Sequence, residues 1–154
     1  MYFLTIMSSI AKNFMSDKIF LDTNILVYAF GAKKTSVPDP RVAIAERIIM
    51  LGGVVSIQVL NEFVQVCHRK AKLSWDQIAG SLDVIKDLCG RAVPLTMETH
   101  EAAIDISRHH GFHIYDSLIL AAAMQAGCTT VYSEDMQHGQ SIGKLTVVNP
   151  FIAP

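Results

Sequence analysis

Acidic residues stand at several places where the sequence predicts the end of a strand or the start of a helix. Asp22 closes the apolar run "KIFLD", and Glu134 and Asp135 follow another apolar run in "VYSEDMQHG". Glu62 lies about one turn into the helix after "GVVSI", and Asp116 opens the alanine-rich helix "DSLILAAAMQAG". Ligands of open α/β sheets bind beyond the carboxyl ends of the strands, so we expect these carboxylates to converge at one edge of the sheet.

Carboxylates that converge repel one another and are costly to desolvate unless protons or a cation compensate their charge. An oxygen-rich site without His or Cys suits a hard cation such as Mg²⁺ or Mn²⁺. Two such ions ~3.5–4 Å apart can activate water and stabilise the leaving oxygen when a phosphodiester bond is cleaved. The acidic residues therefore predict divalent-metal chemistry on a phosphate ester.

Each acidic residue taken alone also has a purely structural interpretation. Asp116 could cap its helix, and Asp22 could be a turn residue, with Asn24 capping the helix that follows. Glu62 lies among apolar residues and could face solvent beside an apolar stripe, and the last acidic pair could form an ordinary turn. These interpretations weaken only when all four places are considered together.

The elements that must position these residues alternate between strand and helix. The helices are marked by Asp39 with Pro40, by the capping-box pattern that begins at Ser74, and by Gly111 at the end of a helix over 97–110. The predicted strands are "KIFLD", "GVVSI", "RAVPL", "TTVYS" and "LTVVN". Because these strands are continuously apolar, we expect an α/β domain with a parallel sheet of four to five strands covered on both faces.

The composition limits the possible functions and locations. With 51% hydrophobic residues, 18% charged residues and a net charge of −1, the chain has no global basic field. A nucleic acid would therefore need a local patch or metal ions. No apolar stretch reaches the ~18 residues of a membrane span. The three cysteines are Cys67, Cys89 and Cys128. Their spacing does not match a zinc site or a disulfide framework, which predicts reduced thiols and a cytoplasmic protein.

The first residues precede a second plausible start at Met15, in "MSDKIFLDTN". We expect residues 1–14 to be an N-terminal extension, either a short extra helix or the result of an alternative translation start. Residues 15–154 are then a single domain, since 154 residues can bury one sizeable core.

Four motifs in order resemble the PIN-domain family. They are "FLDTNIL", "LNEF", "IYDSLILAAA" and "SEDMQHG". The resemblance is closest to the VapC-like ribonuclease toxins of type II toxin–antitoxin systems, and it covers about residues 18–150. It implies a Rossmann-like α/β/α sandwich with strand order 3-2-1-4-5, and an Mg²⁺- or Mn²⁺-dependent endoribonuclease that cleaves RNA.

The resemblance also assigns roles to individual residues. Thr23 and Asn24 match the polar pair after the first acid of the family, and Ser133 matches the hydroxyl residue before the last acidic pair. We expect Asn24 and Ser133 to hold carboxylates in place as hydrogen-bond donors. Whether Glu134 takes part stays open. The catalytic and metal-binding quartet is predicted to be Asp22, Glu62, Asp116 and Asp135.

Two other functions remain as alternatives. A phosphoryl-transfer hydrolase could use Asp22 as a nucleophile, but the similar haloacid-dehalogenase phosphatases need a second Asp two residues later, where this chain has Asn24. A catalytically inactive PIN-like module could bind only RNA or protein. Metal-dependent RNA cleavage that disappears when one acid is removed separates these classes.

Some other polar residues could be mistaken for a site or could contact RNA. "HHGFH" (109–113) is a weak zinc pattern, because neighbouring residues on a helix point about 100° apart. Arg69, Lys70 and Lys72 could contact phosphates but are typical of a solvated face. Trp75 follows a helix cap, and we expect it to serve packing rather than base stacking.

The helices over 39–51, 59–71 and 74–89 carry more apolar residues than a small sheet can cover, and such surplus surface usually marks an interface. The resemblance implies that a cognate antitoxin binds there. It also implies a homodimer through the opposite edge, near the helix over 97–110 and the start of the helix at 116.

Overall fold

The computed structural model describes residues 1–31 and 37–153. The helices of these residues are α1 (Tyr2–Ser16), α2 (Thr23–Leu26, continued by a π-helical turn over Val27–Gly31), α3 (Pro40–Leu51), α4 (Ile57–Arg69), α5 (Trp75–Cys89), α6 (Met97–His110) and α7 (Ile114–Gln125). The strands are β1 (Ile19–Leu21), β2 (Thr130–Tyr132), β3 (Ser141–Ile142) and β4 (Leu145–Val148).

The sheet has the order β1-β2-β4-β3 and is mostly parallel. β2 lies parallel between β1 and β4, and only the short edge strand β3 is antiparallel. All residues of β1 and β2 are buried. Because successive side chains of a strand point to opposite faces, this burial requires cover on both faces of the sheet. The predicted α/β class and parallel sheet are confirmed.

Two predicted strands are present only as isolated bridges. Val54 pairs in parallel with Phe20, and Ser56 pairs in parallel with Val93. Together with β1, β2 and β4, these bridges give the predicted order 3-2-1-4-5, and the antiparallel β3 is an addition that we did not predict. The "GVVSI" strand is short because Ser56 already caps α4, where its hydroxyl accepts a hydrogen bond from the Val59 amide.

Gly53 allows the bridge beside β1 to form. Its φ is +137°, and a Cβ at this position would lie 2.8 Å from Cγ of Leu21. A larger residue would therefore be strained in its backbone and would clash with β1. The Gly52-Gly53 pair ends α3 and brings the next segment against the sheet.

The helix caps explain most of the helix boundaries. Asp39 accepts a hydrogen bond from the Arg41 amide with Pro40 at the first helical position, and Ser74 forms a capping box with Gln77. Both caps confirm the predictions. The last helix differs, since α7 begins at Ile114 rather than at the predicted residue 116.

Helix α1 covers part of the sheet near its last strands. Ile6 and Ile10 are buried, and the amide of Asn13 donates to the hydroxyl of Tyr132 over 3.1 Å. The Tyr2 hydroxyl donates to the carbonyl of Phe151 over 2.9 Å. Residues 1–14 are thus helical and packed, and the predicted domain division at residue 15 stays a prediction.

No helix in the described parts of the chain is both long and apolar enough to cross a membrane. All three cysteines are free, and Cys67 and Cys128 are buried. Free thiols agree with the absence of a disulfide framework that the spacing predicted.

Candidate active site

Asp22 follows β1 directly and lies almost completely buried, with 4% of its surface exposed. Its Oδ1 accepts a hydrogen bond of 2.6 Å from the amide of Thr23, so Asp22 itself caps α2. Its Oδ2 accepts bonds from the Ser133 hydroxyl (2.6 Å) and from the side-chain amide of Asn24 (3.2 Å). The alternative in which Asn24 caps this helix is wrong.

Ser133 reaches Asp22 because β2 is the parallel neighbour of β1. The register pairs Leu21 with Tyr132, so the residues that follow these two lie side by side at the carboxyl edge of the sheet. The Ser133 hydroxyl also accepts bonds of 3.2 Å from the amides of Asp135 and Met136. The side-chain amide of Asn24 lies 3.5 Å from the same oxygen. The one hydroxyl proton is donated to Asp22, and the oxygen accepts from the surrounding N–H groups, which fixes the orientation of the hydroxyl.

Asn24 joins the two acidic segments. Its Nδ2 donates over 3.2 Å to Oδ2 of Asp22 and over 3.2 Å to Oδ2 of Asp135, and its Oδ1 accepts from the Glu134 amide over 3.2 Å. The side chain therefore holds the carboxylates of Asp22 and Asp135 at a common point.

Glu62 faces this edge from α4 and is half-buried. Its Oε2 accepts a hydrogen bond of 3.1 Å from the Thr23 hydroxyl, and its Oε1 accepts one of 3.0 Å from Gln58. The solvent-facing interpretation of Glu62 is therefore wrong. Thr23 carries the contact between α4 and the segment after β1, which brings Glu62 next to Asp22.

Asp116 lies in the first turn of α7 and does not cap this helix. His113 is the cap residue, and its Nδ1 accepts from the Tyr115 amide at 3.5 Å. Burial raises the pKa of Asp116, and the charge of Glu62 raises it further; Asp135 adds to the rise and His113 opposes it. Asp116 is therefore within electrostatic range of Glu62 and Asp135.

Burial raises the pKa of Asp22 to about 7, from an ordinary value of 3.8. The hydrogen bonds from Ser133 and Thr23 oppose this rise, whereas the negative charges of Glu62 and Asp116 add to it. Asp22 therefore interacts with both of these acids. A buried carboxylate that repels its neighbours binds a proton near neutral pH, and a cation would replace that proton.

The donor set suits a hard divalent cation, because it consists of carboxylate oxygens without Cys or His. Within residues 1–31 and 37–153, however, no three His, Cys, Asp or Glu side chains are arranged closely enough to hold a metal ion. Hydrogen bonds from Asn24, Ser133, Thr23 and Gln58 stabilise the carboxylates instead. The carboxylate oxygens are thus chemically suited to bind a divalent cation.

Glu134 points away from this cluster. Its carboxylate forms an ion pair with Arg41 (Nη1 to Oε1, 2.7 Å) and accepts a hydrogen bond of 2.5 Å from the Tyr28 hydroxyl. The guanidinium group of Arg41 also lies 4.7 Å above the Tyr28 ring and pairs with Asp39 at 2.7 Å. Glu134 thus belongs to a structural network behind the site.

The sequence reasoning missed two groups of residues. Gln58 could have been found, because it lies four residues before Glu62 and so on the same helix face. The pairing of Arg41 with Glu134 joins residues 93 positions apart. No sequence pattern near either residue predicts such an ion pair.

The other histidines and Trp75 lie outside the acidic cluster. His109 and His110 are exposed, and Nδ1 of His109 contacts the carbonyl of Asp105 rather than another potential ligand. His138 accepts a hydrogen bond from the Asn149 amide over 3.0 Å. Trp75 is 61% exposed and is not a core residue, although its ring packs on that of His68.

Comparison with known proteins agrees with this fold. The family model of the PIN domain matches residues 19–140. The chain is similar to the crystal structure of Mycobacterium tuberculosis VapC20, described as a sarcin-ricin loop cleaving toxin, with a TM-score of 0.57 and 21% identity. The alignment covers 76% of this chain and 89% of VapC20. No curated protein matches the sequence. Because the family match spans most of the sequence, the chain belongs to the PIN domain family.

Proposed function

We propose that this protein is a metal-dependent endoribonuclease and the toxin of a toxin–antitoxin pair. The observation that carries the proposal is the hydrogen-bonded arrangement at the carboxyl edge of the sheet. Asn24 donates to both Asp22 and Asp135, and Thr23, the residue after Asp22, donates to Glu62. Membership of the PIN domain family and the fold of VapC20 support it.

Asp22, Asp116 and Asp135 would bind Mg²⁺ or Mn²⁺ directly or through water, with Glu62 as a further ligand or a group that orients water. When bound, the metal supplies activation of water and stabilisation of the leaving oxygen during hydrolysis of an RNA phosphodiester bond. Asn24 and Ser133 orient the carboxylates of Asp22 and Asp135, and Thr23 orients Glu62.

The geometry disfavours an aspartyl nucleophile at Asp22. Both of its carboxylate oxygens accept hydrogen bonds, and 4% exposure leaves little access for a phosphoryl group. The position of a second acid is held by Asn24, which donates to the carboxylate rather than acting as an acid. An inactive binding module is disfavoured because all four acids are retained and two of them interact with Asp22 electrostatically.

For the antitoxin we propose an open apolar groove between α4, α5 and the segment 90–94. Leu60 and Val64 of α4 face Leu82 of α5 across it, and Ile57, which also lines it, is 39% exposed. Other apolar residues of the predicted region, such as Ile48 and Phe63, belong to the core. An amphipathic helix binds such a groove through apolar residues on one face.

We also propose a homodimer in solution, formed through the edge near α6 and the start of α7. Leu95, Met97 and Ile104 are exposed at this edge and give it an apolar surface. Light scattering at tens of micromolar protein tests the dimer, and a strict monomer would contradict it. The cytoplasmic location also stays a prediction.

The test of the activity is RNA cleavage by the purified chain with Mg²⁺ or Mn²⁺, compared with the same reaction in EDTA. We expect cleavage that requires metal and that is lost in Asp22→Asn and in Asp116→Asn. Lys144→Gln, an exposed charge change, is the matched control and should cleave normally. Cleavage that persists equally in EDTA, or in both acid variants, would refute the proposal.

A further inference from the structure

Trp75 and His68 form an exposed aromatic stack. Their ring centroids lie 4.2 Å apart with 23° between the planes, and His68 is itself exposed. His68 covers one face of the indole, yet Trp75 keeps 61% of its surface exposed. The open face of the indole is therefore available for stacking with a planar ligand.

Three positively charged residues lie next to this stack in the sequence. Arg69, Lys70 and Lys72 lie between the two rings in sequence, and all three are exposed. None of them forms an ion pair with the described part of the chain. Asp76 is the one acid within residues 65–76, although the whole chain has a net charge of −1. The segment is therefore a local basic patch on a slightly acidic protein.

The patch continues the helix face that carries Glu62. Arg69 lies seven residues after Glu62, which places it on nearly the same face of α4 and about 10 Å further along the axis. Gln65 is exposed between them, and His68 lies three residues after Gln65 on the adjoining exposed face. A polar, exposed path thus leads from the acidic cluster to the aromatic stack.

We infer that the Trp75–His68 stack and its cations form a docking surface for single-stranded RNA, with a base stacked on Trp75 and neighbouring phosphates on Arg69, Lys70 and Lys72. Bases stack on aromatic rings in a sequence-tolerant way, and cations beside the rings follow the phosphate backbone. The inference rests on the proposed function, since it defines where the RNA lies outside the acidic cluster.

The charge favours RNA over a protein segment as the occupant. Three unpaired cations match a polyanion, whereas the apolar groove for a helix lies on another face of α4, at Leu60 and Val64. Duplex RNA hides the faces of its bases, so an exposed stacking surface also favours a single strand.

Trp75 is the only tryptophan of the chain, so its fluorescence reports directly on this surface. The experiment titrates the full-length protein, in EDTA so that no hydrolysis occurs, with a single-stranded RNA oligonucleotide of mixed sequence. We expect saturable quenching that weakens as salt is raised. We expect weaker quenching by the corresponding RNA duplex, and none by inorganic polyphosphate, which has no bases.

Variants separate stacking from charge. Both Trp75 variants lack the only tryptophan, so the RNA affinity of all variants is measured by the fluorescence anisotropy of an end-labelled RNA. Trp75→Ala is expected to weaken RNA binding about 5- to 150-fold, the usual range for one stacked base, whereas Trp75→Phe keeps most of it. Arg69→Gln is expected to weaken binding and to lower the slope of log affinity against log salt by about 1. Arg47→Gln changes an exposed arginine on α3 and is the matched control, expected to bind like the wild type.

The outcomes distinguish this inference from the proposed function. RNA-dependent quenching without metal-dependent cleavage supports the docking surface and refutes the nuclease. Normal cleavage with unchanged RNA affinity in Trp75→Ala refutes the docking surface alone. The inference is also wrong if polyphosphate quenches Trp75 as RNA does. It fails equally if Trp75→Ala weakens binding of the cognate antitoxin but not of RNA. Melting temperatures confirm that each variant folds, and the Ser74–Gln77 cap stays intact in all of them.

Discussion

The hydroxyl of Ser133 donates a hydrogen bond of 2.6 Å to the buried carboxylate of Asp22, across the gap between two parallel strands. The contact joins residues 111 positions apart and follows directly from the pairing of Leu21 with Tyr132. It opposes the burial that raises the pKa of Asp22. The hydrogen bond therefore lowers the pH at which this carboxylate becomes charged, although burial has the larger effect on its pKa.

The stability of the metal-free protein is expected to fall as the pH rises. The pKa of Asp22 is about 7 in the folded chain and near its ordinary value of 3.8 when unfolded, so between these values only the folded state holds the proton. The free energy of unfolding then declines by about 1.4 kcal/mol per pH unit, on the order of 4 kcal/mol in total from this group. Denaturant unfolding in EDTA at pH 5 and pH 8 measures the part of this decline above pH 5, about 3 kcal/mol.

Asp22→Asn is the variant that isolates this effect. Its side chain cannot ionise, so we expect a flatter pH dependence and, at pH 8 without metal, a stability equal to or higher than that of the wild type. RNA cleavage is expected to disappear. A large loss of stability at pH 8 would mean that Asp22 serves the fold rather than metal binding.

Metal affinity is expected to increase with pH. A divalent cation must displace the proton of Asp22, so binding strengthens as the pH rises from 6 to 8 and releases protons. Calorimetric titration with Mn²⁺ in two buffers of different ionisation enthalpy measures both the affinity and the proton release. In Asp22→Asn the pH dependence should largely vanish, and an unchanged dependence would assign the proton to another group.

Ser133→Ala is expected to destabilise the fold by about 1–3 kcal/mol, because the amides of Asp135 and Met136 lose a buried acceptor. It should also raise the pKa of Asp22 further, since the hydroxyl hydrogen bond lowers that pKa. The pH dependence of unfolding, compared with that of the wild type, reports this shift. Ser133→Thr keeps the hydroxyl, and it is the control that distinguishes the hydrogen bonds from the volume of the side chain.

Asp116→Asn tests whether Asp116 serves the metal site or the helix. Because His113 holds the cap position, Asp116→Asn is expected to retain the melting temperature of the metal-free protein or raise it, while cleavage is lost. His113→Ala removes the cap instead. It is expected to cost about 0.5 kcal/mol, the low end of the range for caps, because its hydrogen bond is 3.5 Å long. If Asp116→Asn lowers the melting temperature and keeps cleavage, Asp116 serves the helix rather than the metal site.

Arg41→Gln tests the network behind the site. The ion pair with Glu134 is partly exposed, so its loss is expected to cost about 1 kcal/mol or less. We expect the variant to lose more cleavage activity than stability. Glu134 lies between Ser133 and Asp135, and its amide donates to Asn24, so a shift of Glu134 also moves the residues of the site. The double variant with Glu134→Gln forms a cycle, and additive effects on cleavage would show that the two residues act independently.

The sequence predicted those parts of the structure that depend on local signals. Continuous apolar runs marked β1, β2 and β4, and the Asp39 and Ser74 caps marked two helix starts. Asp22 and Asp135 follow neighbouring parallel strands, and parallel strands share one carboxyl edge, which is why both segments lie at that edge. The roles of the four acids stay predictions.

The features that could not be predicted from the sequence depend on which of several nearby residues takes a cap position, or on partners that are distant along the chain. The predicted start of α7 at Asp116 was wrong because His113, a rarer cap residue, takes the cap position. The strand around Val54 is reduced to a bridge because Ser56 begins a helix. The role of Glu134 depends on Arg41, a partner that only the folded chain brings near.

The hydrogen bond between Tyr2 and the carbonyl of Phe151 brings the two ends of the described fold together. Adjacent ends are the condition under which circular permutation is tolerated. A short linker could join them, and new ends could be opened at exposed residues such as Gly90 between α5 and α6. In such a chain Asp116 and Asp135 would precede Asp22 and Glu62 in the polypeptide. The positions of these carboxylates thus depend on the packing of the sheet and helices rather than on the order of the residues along the chain.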